Sequence, residues 1–97
     1  MNNLLYNARM ALRDIMEVNI FTKGTDRVYL TLSPELVWEG NVPETDQHGD
    51  AGRAHTESVV RTIVDRLHDM DLILVGGDKG ISALIESEPV EIVRDVR

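Results

Sequence analysis

The stretch Val18-Asn19-Ile20-Phe21-Thr22-Lys23-Gly24-Thr25-Asp26-Arg27-Val28-Tyr29-Leu30-Thr31-Leu32 decides the fold class. Val28, Leu30 and Leu32 alternate with Tyr29 and Thr31, the period of two that belongs to a strand with one buried face. Val18 to Phe21 is a second β-compatible run, separated from the first by Thr22 to Asp26, which carries Gly24. Two such runs across a short glycine-containing connection predict a β-hairpin.

Upstream, Leu4, Leu5, Ala8, Ala11, Leu12, Ile15 and Met16 form a single stripe at helical spacing, with Asn7, Arg9, Arg13 and Asp14 opposite. This predicts an amphipathic helix from Asn3 to Glu17. Downstream, Pro34 interrupts pairing and Leu36-Val37-Trp38 reads as a short further strand. Glu39 to Arg53, EGNVPETDQHGDAGR, has three glycines, a proline and almost no apolar residue, so it reads as a long acidic surface loop. Val59, Val60, Ile63, Val64, Leu67 and Met70 then repeat the helical stripe, with Thr56 as expected N-cap and Glu57, Arg61 and Asp65 alternating in sign on the exposed face. Leu72 to Val75, the turn Gly76-Gly77-Asp78-Lys79-Gly80 and Ile81 to Glu86 read as a second hairpin. Val90 to Val96 fits a strand better than a short helix capped by Ser87.

These elements predict one α+β domain over residues 1–97, with two amphipathic helices packed on one face of an antiparallel sheet. The two halves share a plan, helix, strand, turn, strand, proline, and a shift of 52 places Ala11, Leu12 and Ile15 on Ile63, Val64 and Leu67. A decayed duplication or a coincidence of common αββ units would each produce such quasi-repeated units, and coincidence is preferred because identity is scarce. On the other sheet face Tyr29, Thr31 and Ser82 are polar, whereas Leu84 and Val93 stay exposed unless a second subunit covers them, which points to a homo-oligomer.

Composition narrows the chemistry. Ninety-seven residues, 42% hydrophobic and 28% charged, suit one globular core rather than a disordered or membrane chain. No cysteine is present, which removes disulfides, thiolate nucleophiles and cysteine-ligated zinc or iron-sulfur centres. Charges inside the first apolar stripe argue against a signal peptide or membrane span, so a cytoplasmic location is expected.

Ten Lys and Arg against seventeen Asp and Glu give a net charge of −7. The imbalance is local. Val28 to Gly52 contains no Lys or Arg, while Glu35, Glu39, Glu44, Asp46 and Asp50 supply −5 beside the single tryptophan, Trp38. A concentrated negative field next to an aromatic anchor suits docking on a basic protein surface. Direct nucleic-acid binding is not expected, since basic residues are dispersed and none lies in a run with an aromatic.

Catalytic patterns are weak. Asp46, His48, Asp50 and His55 are the one cluster of metal-ligand types, but an Asp/His/Gly turn before a polar helix start explains the same letters. The GGDKG turn lacks phosphate-loop spacing, and Ser33, Ser58, Ser82 and Ser87 lie in no nucleophile elbow. His68, Glu86, Glu88 and Glu91 read as solvated. No cofactor is expected. The leading expectation is a non-enzymatic interaction module whose Glu35, Trp38, Glu39, Glu44, Asp46 and Asp50 meet a basic partner. Such a module would be an inhibitor or nucleic-acid mimic of the compact kind that phages encode, or an adaptor. The alternative is a structural subunit of a homo-oligomer. Third comes a metal-dependent hydrolase built on the Asp46 to His55 cluster.

Overall fold

A computed structural model of the chain describes residues 3–24, 26–33 and 50–96. The hairpin forms as its alternation requires: β1 (Val18–Lys23) pairs antiparallel with β2 (Arg27–Leu32), from Val18 opposite Leu32 to Lys23 opposite Arg27. Gly24, at φ +68°, starts the connection in a backbone region costly for any side chain. Val28, Leu30 and Leu32 point inward and are at most 4% exposed.

Helix α1 (Asn3–Ala11) is shorter than the expected Asn3 to Glu17. After Leu12 N–H donates to Ala8, Ile15 N–H reaches back only three residues, to Leu12, and the Arg13 guanidinium donates to the Met10 carbonyl. The chain needs residues 12–17 to leave the helix layer and enter the sheet at Val18. Leu12 remains buried, but beyond the last turn helical spacing no longer governs direction, and Met16 is 89% exposed.

Helix α2 (Asp50–Asp69) corrects a second boundary, because it begins inside the expected loop and places Thr56 within the helix as a buried residue rather than as its N-cap. Ala51 and Ala54 are strong helix formers, and an acid suits a helix N-terminus; the neighbouring glycines hid that signal. Val60, Ile63 and Leu67 carry the helix's buried stripe, as expected.

The largest correction lies beyond β3 (Leu72–Leu74). Ile81 to Glu86 is no strand: the chain forms α3 (Asp78–Ile85) before β4 (Val90–Arg94). Gly76 and Gly77, at φ +92° and +56°, turn the chain out of the sheet, and Lys79 and Ile81 N–H groups donate to the Gly76 and Gly77 carbonyls to begin the helix. Gly80 is needed for a different reason, since a Cβ there would lie 2.5 Å from the Val75 carbonyl oxygen and force α3 off β3. The C-terminus closes with Ser87 at φ +64°: Ser87 N–H donates to Leu84 and Glu88 N–H to Ala83, the paired bonds of a Schellman motif. Ser87 thus ends a helix instead of starting one, and Val90 to Arg94 is the expected strand.

All pairings are antiparallel, in the order β1-β2-β4-β3. Among the described residues three helices, not two, pack on one face, and the α+β reading holds. The second half runs α-β-α-β, so the αββ repeat does not. Val28, Leu30, Leu32, Leu72, Leu74, Val90 and Ile92 from the sheet meet Ala8, Leu12, Val60, Ile63, Leu67 and Leu84 from the helices in one core. Tyr29, Thr31 and Val93 do point to the opposite face by strand alternation. Ser82 and Leu84 do not belong there; both are on α3, and Leu84 is fully buried. On that open face Phe21 and Tyr29 stack at 5.7 Å between ring centroids, with Lys23 Nζ 5.3 Å from the Tyr29 centroid.

Candidate functional site

Strand register brings distant acids together. Leu30 pairs with Val90 and Leu32 with Val18, so the C-terminal end of β2 lies beside the entry to β4 and the entry to β1. Ser33 N–H donates to the Glu17 carbonyl there. At the same end the chain emerges from α3 through Glu86 and Glu88, both exposed. Arg53, in the first turns of α2, ties the helix to this end: its guanidinium is 3.3 Å from Glu57 and 3.5 Å from Glu86. One cation therefore serves two carboxylates. Their side chains are largely in water, so the pairings orient these groups more than they stabilise the fold.

The acidic stretch leaves β2 after Leu32 and enters α2 at Asp50. Glu35, Trp38, Glu39, Glu44 and Asp46 themselves lie outside the described residues, as do Pro34, the expected Leu36-Val37-Trp38 strand and the loop from Glu39 to Gly49. What the fold adds is Glu17, beside Ser33 at the exit of β2, and Glu57 and Glu86, which share Arg53 near the start of α2, with Glu88 two residues beyond Glu86. Sequence reading passed over Glu86 and Glu88 as solvated residues, because only the fold brings Glu86 to Arg53.

Of the metal candidates, Asp46 and His48 lie outside the described residues, Asp50 is the first residue of α2, and His55 is half-buried in that helix. Among the described residues no three His, Asp or Glu side chains gather as a metal site would need. The GGDKG turn does lead into a helix, contrary to expectation, yet Asp78 in its first turn sets a negative charge where a phosphate would sit. His68 is exposed on α2 as expected.

Farther along α2, Arg66 Nη1 donates to both carboxylate oxygens of Asp14, at 2.7 and 2.8 Å. This hydrogen bond holds the Asp14 carboxyl below its ordinary value and pushes the Arg66 guanidinium up. It fastens the exit of α1 to α2. No helix among the described residues is long and apolar enough to cross a membrane. Comparisons with protein-family models, with curated proteins and with solved structures find no match to this chain.

Proposed function

We propose that this protein is a non-enzymatic interaction module that docks its acidic end on a basic surface of a partner protein, acting as an inhibitor, a mimic of nucleic-acid charge or an adaptor. One observation carries this reading: the −5 segment from Val28 to Gly52 leaves β2 beside Glu17 and enters α2 just before Arg53, the cation shared by Glu57 and Glu86. Converging like charge costs folding energy through self-repulsion, and it raises the association rate with a cationic surface. The stacked Phe21 and Tyr29 on the open sheet face support the assembly reading, in which a second copy covers that face.

Native mass spectrometry of the untagged chain, purified gently from its host at low salt, separates the two. The docking reading expects a complex heavier by a partner of kilodaltons that dissociates as salt rises from about 50 to 500 mM, where the screening length falls from well above to well below 10 Å. Masses equal to whole numbers of bare chains, unchanged by salt, would overturn it in favour of assembly.

A further inference from the structure

Beyond Val75, whose N–H still donates to the Glu91 carbonyl, the chain leaves the sheet for α3. Gly76 and Gly77 make that exit and carry no side chain to close the space beside it; a Cβ at Gly77 would meet nothing within 4 Å. The cleft here has a volume of about 440 Å³, within the range of small-molecule sites. Val64 on α2, Ile73 and Val75 at β3, and Ile81 on α3 are its apolar walls, and His68 and Asp78 are its polar side chains. It meets solvent along Val75, which is 44% exposed, and along Gly76, Gly77, Asp78 and His68, all exposed. The chain between Ser33 and Asp50 joins the fold elsewhere, at β2, two strands over, and at α2 about 21 Å before Val64.

Asp78 sets the chemistry of this cleft. It is the one lining side chain with a fixed charge, and among the described residues no Lys or Arg pairs with its carboxylate. Asp78 stands between the cleft and a second hollow along α3, and the neighbouring Lys79 lines only the latter. A neutral apolar ligand would strip water from the Asp78 carboxylate and return no hydrogen bond, and an anion would be repelled. An ammonium group keeps the carboxylate paired while the carbon body attached to it covers the walls.

We propose that this cleft binds a small apolar amine, a single ring or branched chain bearing one ammonium group. The carbon body lies against Val64, Ile73, Val75 and Ile81, and the ammonium group donates to Asp78. This site goes beyond the docking reading and stands or falls apart from it.

Titration of the isotope-labelled full chain with phenethylamine, followed by amide chemical shifts, tests the assignment. The amine is expected to shift residues 64–68 and 73–81 saturably and to bind about tenfold more tightly than phenethyl alcohol or phenylacetate, which keep the shape and change the charge. Methylamine, which lacks the carbon body, should leave those residues unmoved. Asp78→Asn, at an exposed position in the first turn of α3, should weaken phenethylamine about tenfold and bring it level with the alcohol, with the rest of the amide spectrum unchanged. No saturable shift, equal binding of the three phenyl compounds, or full affinity in Asp78→Asn would overturn the proposal. So would shifts centred on residues 53–57 and 86–88, which would place the amine at the acidic end alone. Cleft amides that move when protein concentration is raised without ligand would also overturn it, in favour of a second copy.

Discussion

The two ends of the sheet differ in charge although they belong to one small core. At the hairpin end Lys23, Arg27 and Arg94 stand among Asp26, Asp71 and Asp95, so each sign answers the other. At the opposite end Glu17 lies beside the exit of β2, and Glu57 and Glu86 share Arg53 near the start of α2, so further acids stand by both attachment points of a segment that has no Lys or Arg. The net charge of −7 is therefore not a uniform solubilising coat. It is a polarity along the strands, and polarity of this kind orients an approaching partner before any contact forms.

Breaking what joins the ends should have the largest effect. Leu30 is fully buried on β2, midway between them, and Leu30→Ala is expected to cost about 3 kcal/mol through lost burial and a residual cavity. Urea denaturation followed at both ends should show one shifted transition; two separated transitions would show that the ends fold independently.

Next come the glycines. Gly80→Ala drives a Cβ against the Val75 carbonyl at 2.5 Å and is expected to cost about 2 kcal/mol by overpacking. Gly24→Ala, at the hairpin end, meets nothing within 4 Å and pays only its positive φ, about 1 kcal/mol. Thermal unfolding of both variants checks the order, and hydrogen exchange should place the Gly80→Ala loosening at β3 rather than β1.

A smaller change of opposite sign is expected at the acidic end, where Ser87 holds φ +64° in the Schellman motif. Ser87→Gly should stabilise by about 0.5 kcal/mol, the relief of left-handed strain less the added freedom of the unfolded chain. A raised Tm confirms it.

The smallest effect belongs to Asp14. Its folded carboxyl is lowered by the hydrogen bond from Arg66, so its contribution is present above the ordinary carboxylate range and is lost as pH falls through the lowered value. Asp14→Asn should lower the Tm slightly at neutral pH, where that contribution is present, and the difference from the parent should disappear as pH falls below the lowered value, in a Tm series run from neutral to acid.

How much of this was legible depends on which residue carried each period. The hairpin was readable because Val28, Leu30 and Leu32 occupy every inward position. The helix at Asp78–Ile85 was not, because its stripe of Gly80, Ile81, Leu84 and Ile85 begins on a glycine, which scores as a turn although here it permits close helix-strand packing. The start of α2 was hidden in the same way by Gly49 and Gly52. The acidic segment was visible as a run of letters, but the approach of Glu86 to Arg53 at the start of α2 was not, because that depends on the order in which the elements pack. Nothing local in the sequence states that order.

The most direct test of the polarity is a titration of isotope-labelled protein with octalysine, followed by amide chemical shifts at low salt. Shifts confined to Glu17, residues 33–57 and residues 86–90, with the hairpin residues 22–28 unmoved and the response abolished by 0.5 M salt, are the predicted result. Shifts spread evenly over the surface, or centred on the hairpin, would contradict an acidic end built for docking.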